Sequence, residues 1–274
     1  MTPPARSGAP RRGSLLVVGT GMTLAHQATP EAITAIRQAD KLFYLAPNPA
    51  VGVWLRGLNS SAETLENSYA EGKPRHETYR EIAERIVEPV RDNLCVCAAF
   101  YGHPGVFVQP SHDAIRKVQS EGFSARMLPG ISAEDCLFAD LAADLPVTGW
   151  QSFEATDFLA MRRRFDPSST LILWQVGLLG EASVRKGLSC PPERLHVLAR
   201  YLRTLYPARQ PAVLYEAAQF PICDPLVRWT TIGELPREKI SPAMTLCVMP
   251  KTSRIKNSIV LGWCRETDRK RTSG

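Results

Sequence analysis

A chain of 274 residues with 44% apolar and 22% charged side chains has room for one large or two modest folded domains. It holds no run of about 18 apolar residues, so no membrane span is expected. The net charge of +6 lies at the ends: Arg6, Arg11 and Arg12 give +3, and from Lys251 onward seven cations against Glu266 and Asp268 give +5. Residues 14–250 are left at −2, which argues against a basic nucleic-acid-binding face.

Seven cysteines without paired ligand spacing read as reduced thiols of a cytoplasmic protein. Cys95 and Cys97 lack the second pair that a zinc site needs, so no metal is expected. Residues 1–13, with three prolines and no apolar stretch, read as a disordered leader rather than a signal peptide.

The folded part opens with an apolar strand, Leu15 to Val18, that ends in Gly19-Thr-Gly21. Thr29 is placed to cap a helix whose first residue is Pro30, and Lys41 to Leu45 reads as the next strand. Strand, helix, strand is the pattern of a parallel sheet. A long helix is expected from about His76 to Arg91, its apolar stripe running through Tyr79, Ile82, Ala83, Ile86, Val87 and Val90. Pro89 is expected to bend it or end it early.

Asn93–Phe100 reads as a buried strand, Pro110–Glu121 as a helix and Phe123–Leu128 as a short strand. Ser132 then caps a helix with Glu134 and Asp135 in its first turn. The pattern changes near residue 145. Beyond it lie apolar runs at 170–176, 212–215, 227–230, 244–249 and 258–263, with helical stretches near 156–164 and 195–206. The expected organisation is a leader over 1–13, an N-terminal α/β domain over 14–144, a C-terminal α/β domain over 145–252, and a last strand with a basic tail over 253–274.

The glycines at 19 and 21 suit a tight strand exit. A nicotinamide site is not supported, because the third position of G-x-G-x-x-G is Leu24 and no acid stands at the end of the second strand. Phe100-Tyr-Gly-His-Pro-Gly-Val-Phe107 follows a buried strand, which places it at a sheet's carboxyl edge, where ligands bind in open α/β folds. Gly102 and Gly105 leave room for a ligand to reach the backbone.

Gly19-Thr-Gly21, Tyr101-Gly-His-Pro-Gly105 and Leu128-Pro-Gly-Ile-Ser-Ala-Glu-Asp135, in that order, resemble the cofactor-binding segments of the tetrapyrrole methylases, from about Leu15 to Met249. The resemblance implies a two-domain α/β fold with S-adenosylmethionine (SAM) in the interdomain cleft. It implies cofactor contacts at Gly19, Gly21, Tyr101, His103, Val106, Phe107, Ser132 and Ala133 from the first domain. Gln175, Tyr215 and Thr245 are implied from the second. Within that superfamily the phrases around Tyr101, Ser132 and Trp174-Gln175 are similar to the borosin enzymes, which methylate backbone amides of peptides. Tyr69, Arg75 and Tyr79, spaced by six and four residues, match the borosin tyrosine–arginine–tyrosine set, with Tyr101 beside it.

An amide nitrogen is a poor nucleophile because its lone pair is shared with the carbonyl. A phenol titrates near ~10, and a neighbouring guanidinium lowers that by roughly 1–3 units. The assignment expected is Tyr79 as base, tuned by Arg75, with Tyr69 polarising the carbonyl and Tyr101 orienting the amide; the roles of Tyr69 and Tyr79 are open to exchange. The chain extends only about 25 residues past its last recognised strand. It therefore resembles the split type, in which a precursor peptide is supplied in trans to a homodimer, giving a homodimer or a heterotetramer with the precursor, with no nucleic acid or membrane involved. The competing readings are a tetrapyrrole C-methyltransferase, which would want a basic cleft, and a catalytically silent SAM- or peptide-binding module.

Overall fold

A computed structural model describes residues 13–142, 148–184 and 189–251. The first domain is a five-stranded, all-parallel sheet in the order β3-β2-β4-β1-β5, made of β1 (Ser14–Gly19), β2 (Lys41–Leu45), β3 (Glu63–Thr64), β4 (Cys95–Phe100) and β5 (Ser124–Met127). Its three inner strands, β1, β2 and β4, are buried on both faces. Leu15, Val17, Phe43, Val96, Ala98 and Phe100 pack under helices α3 (Arg75–Arg91) and α4 (Gln109–Ser120). The alternate residues Val18, Leu42, Tyr44, Cys97 and Ala99 pack under α1 (Pro30–Gln38) and α2 (Pro49–Leu58).

Local chemistry sets several boundaries. Thr29 accepts from the Ala32 N–H and Pro30 follows it, as expected of the start of α1. Pro89 neither ends nor shortens α3, which continues to Arg91. Standing in the last turn, it costs a single backbone donor while the stripe from Ile82 to Val90 stays buried. Helix α2 was not among the elements expected from the chain. Asn48 caps it by accepting from Val51 N, and Val51 and Leu55 are buried.

The second domain is a mixed sheet in the order β6-β7-β10-β8-β9. It contains β6 (Trp150–Glu154), β7 (Thr170–Trp174), β8 (Pro211–Glu216), β9 (Leu226–Thr231) and β10 (Thr245–Val248), and only β6 and β7 are parallel. One face carries α6 (Ala155–Ala160) and α7 (Pro192–Leu202) over Leu171, Leu173, Leu214 and Leu246. The other face receives α5 (Ala133–Asp140) from the first domain, which packs Cys136 and Leu137 against Ile172, Trp174, Val213 and Tyr215. The expected boundary near residue 145 and the stretch 258–263 lie outside the described residues. No helix among the described residues is long and apolar enough to cross a membrane.

Candidate active site

Three parallel strands of the first sheet end at one edge, and the turns that leave them face the second sheet across a cavity of about 460 Å³. That volume falls within the ~300–1,000 Å³ of small-molecule sites. Leu45–Pro47 after β2, Phe100–Val108 after β4 and Ser132–Glu134 at the start of α5 form one wall. Trp174, Gln175, Tyr215–Ala217 and Pro242–Thr245 form the other.

Of the expected cofactor contacts, Tyr101, His103, Val106, Phe107, Ser132, Ala133, Gln175, Tyr215 and Thr245 all line this cavity. Gly19 and Gly21 do not. They fasten the turns behind it: Gly21 and Gly102 exchange backbone hydrogen bonds (2.8 and 3.3 Å), and a Cβ on Gly19 would stand 2.4 Å from the Gly102 carbonyl oxygen. His103 Nδ1 accepts from the Gly105 N–H at 2.9 Å, so a neutral ring carries its proton on Nε2. The Ser132 hydroxyl is engaged in a capping box with Asp135. Phe107 and Gln175 both hold left-handed backbone conformations (φ 56° and 55°), which cost about 1–2 kcal/mol in a side-chain-bearing residue and cluster at functional sites.

The tyrosine–arginine–tyrosine set meets in the same cavity: Tyr69, Arg75, Tyr79 and Tyr101 all line it. Tyr69 follows a short 3-10 turn, while Arg75 and Tyr79 share one face of α3. The segment before α3 is strapped to the second domain. Gly72 N–H donates to Val184 O (2.9 Å), Val184 N–H to Lys73 O (2.9 Å), Arg75 N–H to Ala182 O (3.1 Å) and Arg75 Nε to Ser183 O (3.4 Å). On the other side of the cleft, Thr23 Oγ1 and Leu24 N–H donate to Ala218 O and Gln219 O. Hydrogen bonds therefore hold the cleft at both ends.

Burial pushes the Tyr69 phenol above its ordinary range; Tyr79 and Tyr101 add to the shift, and the opposing Arg75 charge does not offset it. The Tyr101 phenol, although 41% exposed toward the cavity, is raised in the same direction, by the protein packed around it first and Tyr79 second, against Arg75. Both therefore stand as protonated hydrogen-bond donors. Tyr215 is also raised by burial and by its hydrogen bond to Asp140 Oδ2 (2.7 Å), so its hydroxyl is already used and its ring faces the cavity.

Sequence reasoning missed the rest of the wall. Met22, Leu45, Ala46 and Pro47 sit on strand exits, which is a usable signal. Glu134 follows directly on two expected residues and accepts from Trp150 Nε1 at 2.7 Å. Glu216 accepts from Ser241 Oγ at 2.7 Å; no local motif marks it, because the antiparallel pairing of β8 and β10 brings it there. Among the described lining residues Glu134 and Glu216 are the acids and Arg75 is the permanent cation.

Residues 14–235 match the family model described as Tetrapyrrole (Corrin/Porphyrin) Methylases. The chain is 40% identical over 253 residues to the methyltransferase/ribosomally synthesized cyclic peptide dendrothelin A precursor of Dendrothele bispora (strain CBS 962.96), covering 91% of this chain and 60% of that protein. It is 39% identical over 251 residues to the corresponding omphalotin A precursor of Omphalotus olearius, with 90% and 60% covered. The chain thus spans about 60% of the length of these relatives. Among solved structures it shares the fold of a uroporphyrin-III-C-methyltransferase from Thermus thermophilus, with TM-score 0.63, 19% identity, and 87% of this chain and 93% of that one covered.

Proposed function

The chain belongs to the tetrapyrrole (corrin/porphyrin) methylase family, and from that membership together with its likeness to the peptide-precursor methyltransferases we propose that it transfers the methyl group of SAM to backbone amide nitrogens of a peptide. The observation that carries the reading is the meeting of Tyr69, Arg75, Tyr79 and Tyr101 in the cavity whose walls also hold the expected cofactor segments.

The cavity suits SAM in its chemistry. Tyr101, Phe107 and Trp174 offer aromatic faces to a sulfonium, and Glu134 and Glu216 offer carboxylates to an ammonium. Gly102, at φ 70°, brings the turn to the cavity with no side chain of its own, its N–H and carbonyl being paired with Gly21. His103, Ser132, Ala133 and Gln175 complete the set that would hold the cofactor. When bound, it supplies an electrophilic methyl group on a positively charged sulfur.

The protein's own part is to make an amide nitrogen able to accept that methyl. Tyr69 and Tyr101, both held protonated, are placed to donate to the peptide carbonyl oxygen as negative charge gathers there. The role of base falls to Tyr79, one helical turn from Arg75. Its phenolate would take the N–H proton and become a phenol, leaving an imidate whose nitrogen would form the new N–C bond as the bond from that methyl to the donor sulfur breaks and the sulfur leaves as a neutral thioether. Arg75, fixed through Ser183, stabilises the anionic states of the exchange.

A tetrapyrrole carries several carboxylates and calls for a cationic wall; two acids against one guanidinium disfavour it. The relatives' names join methyltransferase and peptide precursor in one protein. We extend the reading to a homodimer that accepts a separate precursor peptide, the arrangement the resemblance implies. Purified chain with SAM and an apolar candidate peptide should yield peptide heavier by multiples of one CH2, with the added groups on backbone nitrogens by tandem mass spectrometry. Methylation of the chain itself would show supply in cis. Turnover confined to porphyrinogens would replace the reading, and light scattering tests the dimer.

A further inference from the structure

Of Tyr69, Arg75 and Tyr79, Tyr69 alone is not on α3. It stands at the end of a three-residue 3-10 turn, with φ −88° and ψ 101°, in a connection between β3 and α3. Side chains on such connections wander unless something fixes the backbone that carries them. Here that something is ionic and comes from α3. Arg85 Nη1 donates to Ser68 Oγ (2.8 Å), and Nη2 donates to Glu63 Oε1 (2.7 Å) and to the Thr64 carbonyl oxygen (3.0 Å). All three acceptors lie in the six residues that lead into Tyr69. From the other side Lys73 Nζ donates to the Ser68 carbonyl oxygen (3.2 Å) and pairs with Glu81, one turn before Arg85 on α3. Ser68 is 1% exposed, so its hydroxyl needs these partners.

We propose that Arg85, acting through Ser68, is a positioning residue that fixes Tyr69 in register with Arg75 and Tyr79, so that a single helix sets all three. The proposal rests on the role given to Tyr69 above. A planar guanidinium reaches a carboxylate, a carbonyl and a hydroxyl at once; an ammonium on a flexible stem holds one point and leaves the others loose. Attraction alone would be retained by lysine, so the geometry makes Arg85→Lys the informative change. Ser68→Ala is the milder companion that keeps every charge.

The test has two readouts, both in the full chain. In the first, Arg85→Lys and Ser68→Ala are made in the native and Tyr69→Phe backgrounds, and turnover is measured with peptide and SAM. A misplaced reacting group loses roughly ten- to a hundredfold in kcat. That loss is expected in the native background with SAM affinity unchanged, and no further loss is expected once Tyr69 is Phe. Equal losses in both backgrounds, or no loss in the native one, overturn the proposal. In the second, the protein is labelled with 3-fluorotyrosine and the Tyr69 signal is assigned by its absence in Tyr69→Phe. Arg85→Lys and Ser68→Ala should shift or broaden that fluorine signal while the Tyr215 signal stays in place. A Tyr69 signal unmoved in both variants overturns the positioning role even where no peptide is turned over. Absence of turnover in the native chain with a moving Tyr69 signal counts against the functional reading alone.

Discussion

Phe107 of the first domain and Trp174 of the second meet across the cleft, ring centroids 6.1 Å apart and planes tilted by 46°. Phe107 is 46% exposed, whereas Trp174 is buried, so the pair is half of the cavity wall and half of the domain contact. An aromatic pair contributes ~0.5–1.5 kcal/mol beyond area burial, and a cation over such rings adds a similar amount. Phe107→Leu should therefore weaken SAM binding about five- to tenfold by calorimetry and, through the lost ring contact, lower Tm by about 2–4 °C. Unaltered affinity would remove Phe107 from the cofactor wall.

Gly19 lies behind the cavity, yet its Cβ position is the more restrictive. It would meet Gly102 O at 2.4 Å and Pro104 Cδ at 2.8 Å, neither of which can yield without moving the turn after β4. Gly72, at φ 76°, has open space at its Cβ position. Gly19→Ala should cost about 2–3 kcal/mol in urea unfolding by overpacking. Gly72→Ala should cost about 1 kcal/mol, from backbone conformation alone. Equal costs would show that the turns after β1 and β4 can part freely.

The half of the site that could be read from the chain is the half built by local rules. A parallel strand must end at the carboxyl edge, so Phe100–Phe107 announced a ligand edge, and Ser132 announced a helix start that faces it, whereas Gly19-Thr-Gly21 announced only a tight strand exit. What escaped was set by tertiary contact. α2 contains Val51, Gly52, Val53 and Gly57, poor helix formers; Tyr44, whose hydroxyl would lie 2.8 Å from a Cβ on Gly52, explains the glycine only once the fold is known. β6 is a short edge strand of mixed polarity. The strap between Arg75 and Ser183 joins residues 108 apart in the chain, and no spacing rule predicts such a pairing.

Tyr206 is 3% exposed, and its hydroxyl has no hydrogen-bond partner among the described residues. Burial raises its pKa above the ordinary phenol value. The sign follows from linkage: an unfolded tyrosine ionises near pH ~10 while the folded one stays protonated. The stability this residue contributes is complete below pH ~10 and is lost as pH rises toward its folded pKa, by up to ~1.4 kcal/mol per pH unit. Tyr206→Phe removes an unsatisfied polar atom, so at neutral pH it should be neutral or stabilising by about 1 kcal/mol. Between pH 9 and 11 its stability should fall less steeply than that of the native chain. Urea titrations at both pH values decide this, and a steeper alkaline loss in the variant would show that the hydroxyl has a partner.

Within the reacting set the two kinds of tyrosine should part in how they fail. Tyr69 and Tyr101 both stand protonated, so the contribution proposed for them is a hydrogen bond to developing charge, and removing one such donor should cost about 10²–10³ in kcat. Tyr69→Phe should keep a measurable residue of activity at every pH. Tyr79→Phe removes the proposed base, and methylation should vanish, with SAM affinity near native if the phenol serves the peptide rather than the cofactor. Arg75→Lys keeps a positive charge but gives up the Nε donor that reaches Ser183 O, so it should lower kcat roughly tenfold at unchanged SAM affinity. Single-turnover mass spectrometry with a shared peptide ranks the three. If Tyr79→Phe turns over and Tyr69→Phe does not, the two phenols exchange roles and the proton leaves from the loop side of the cavity.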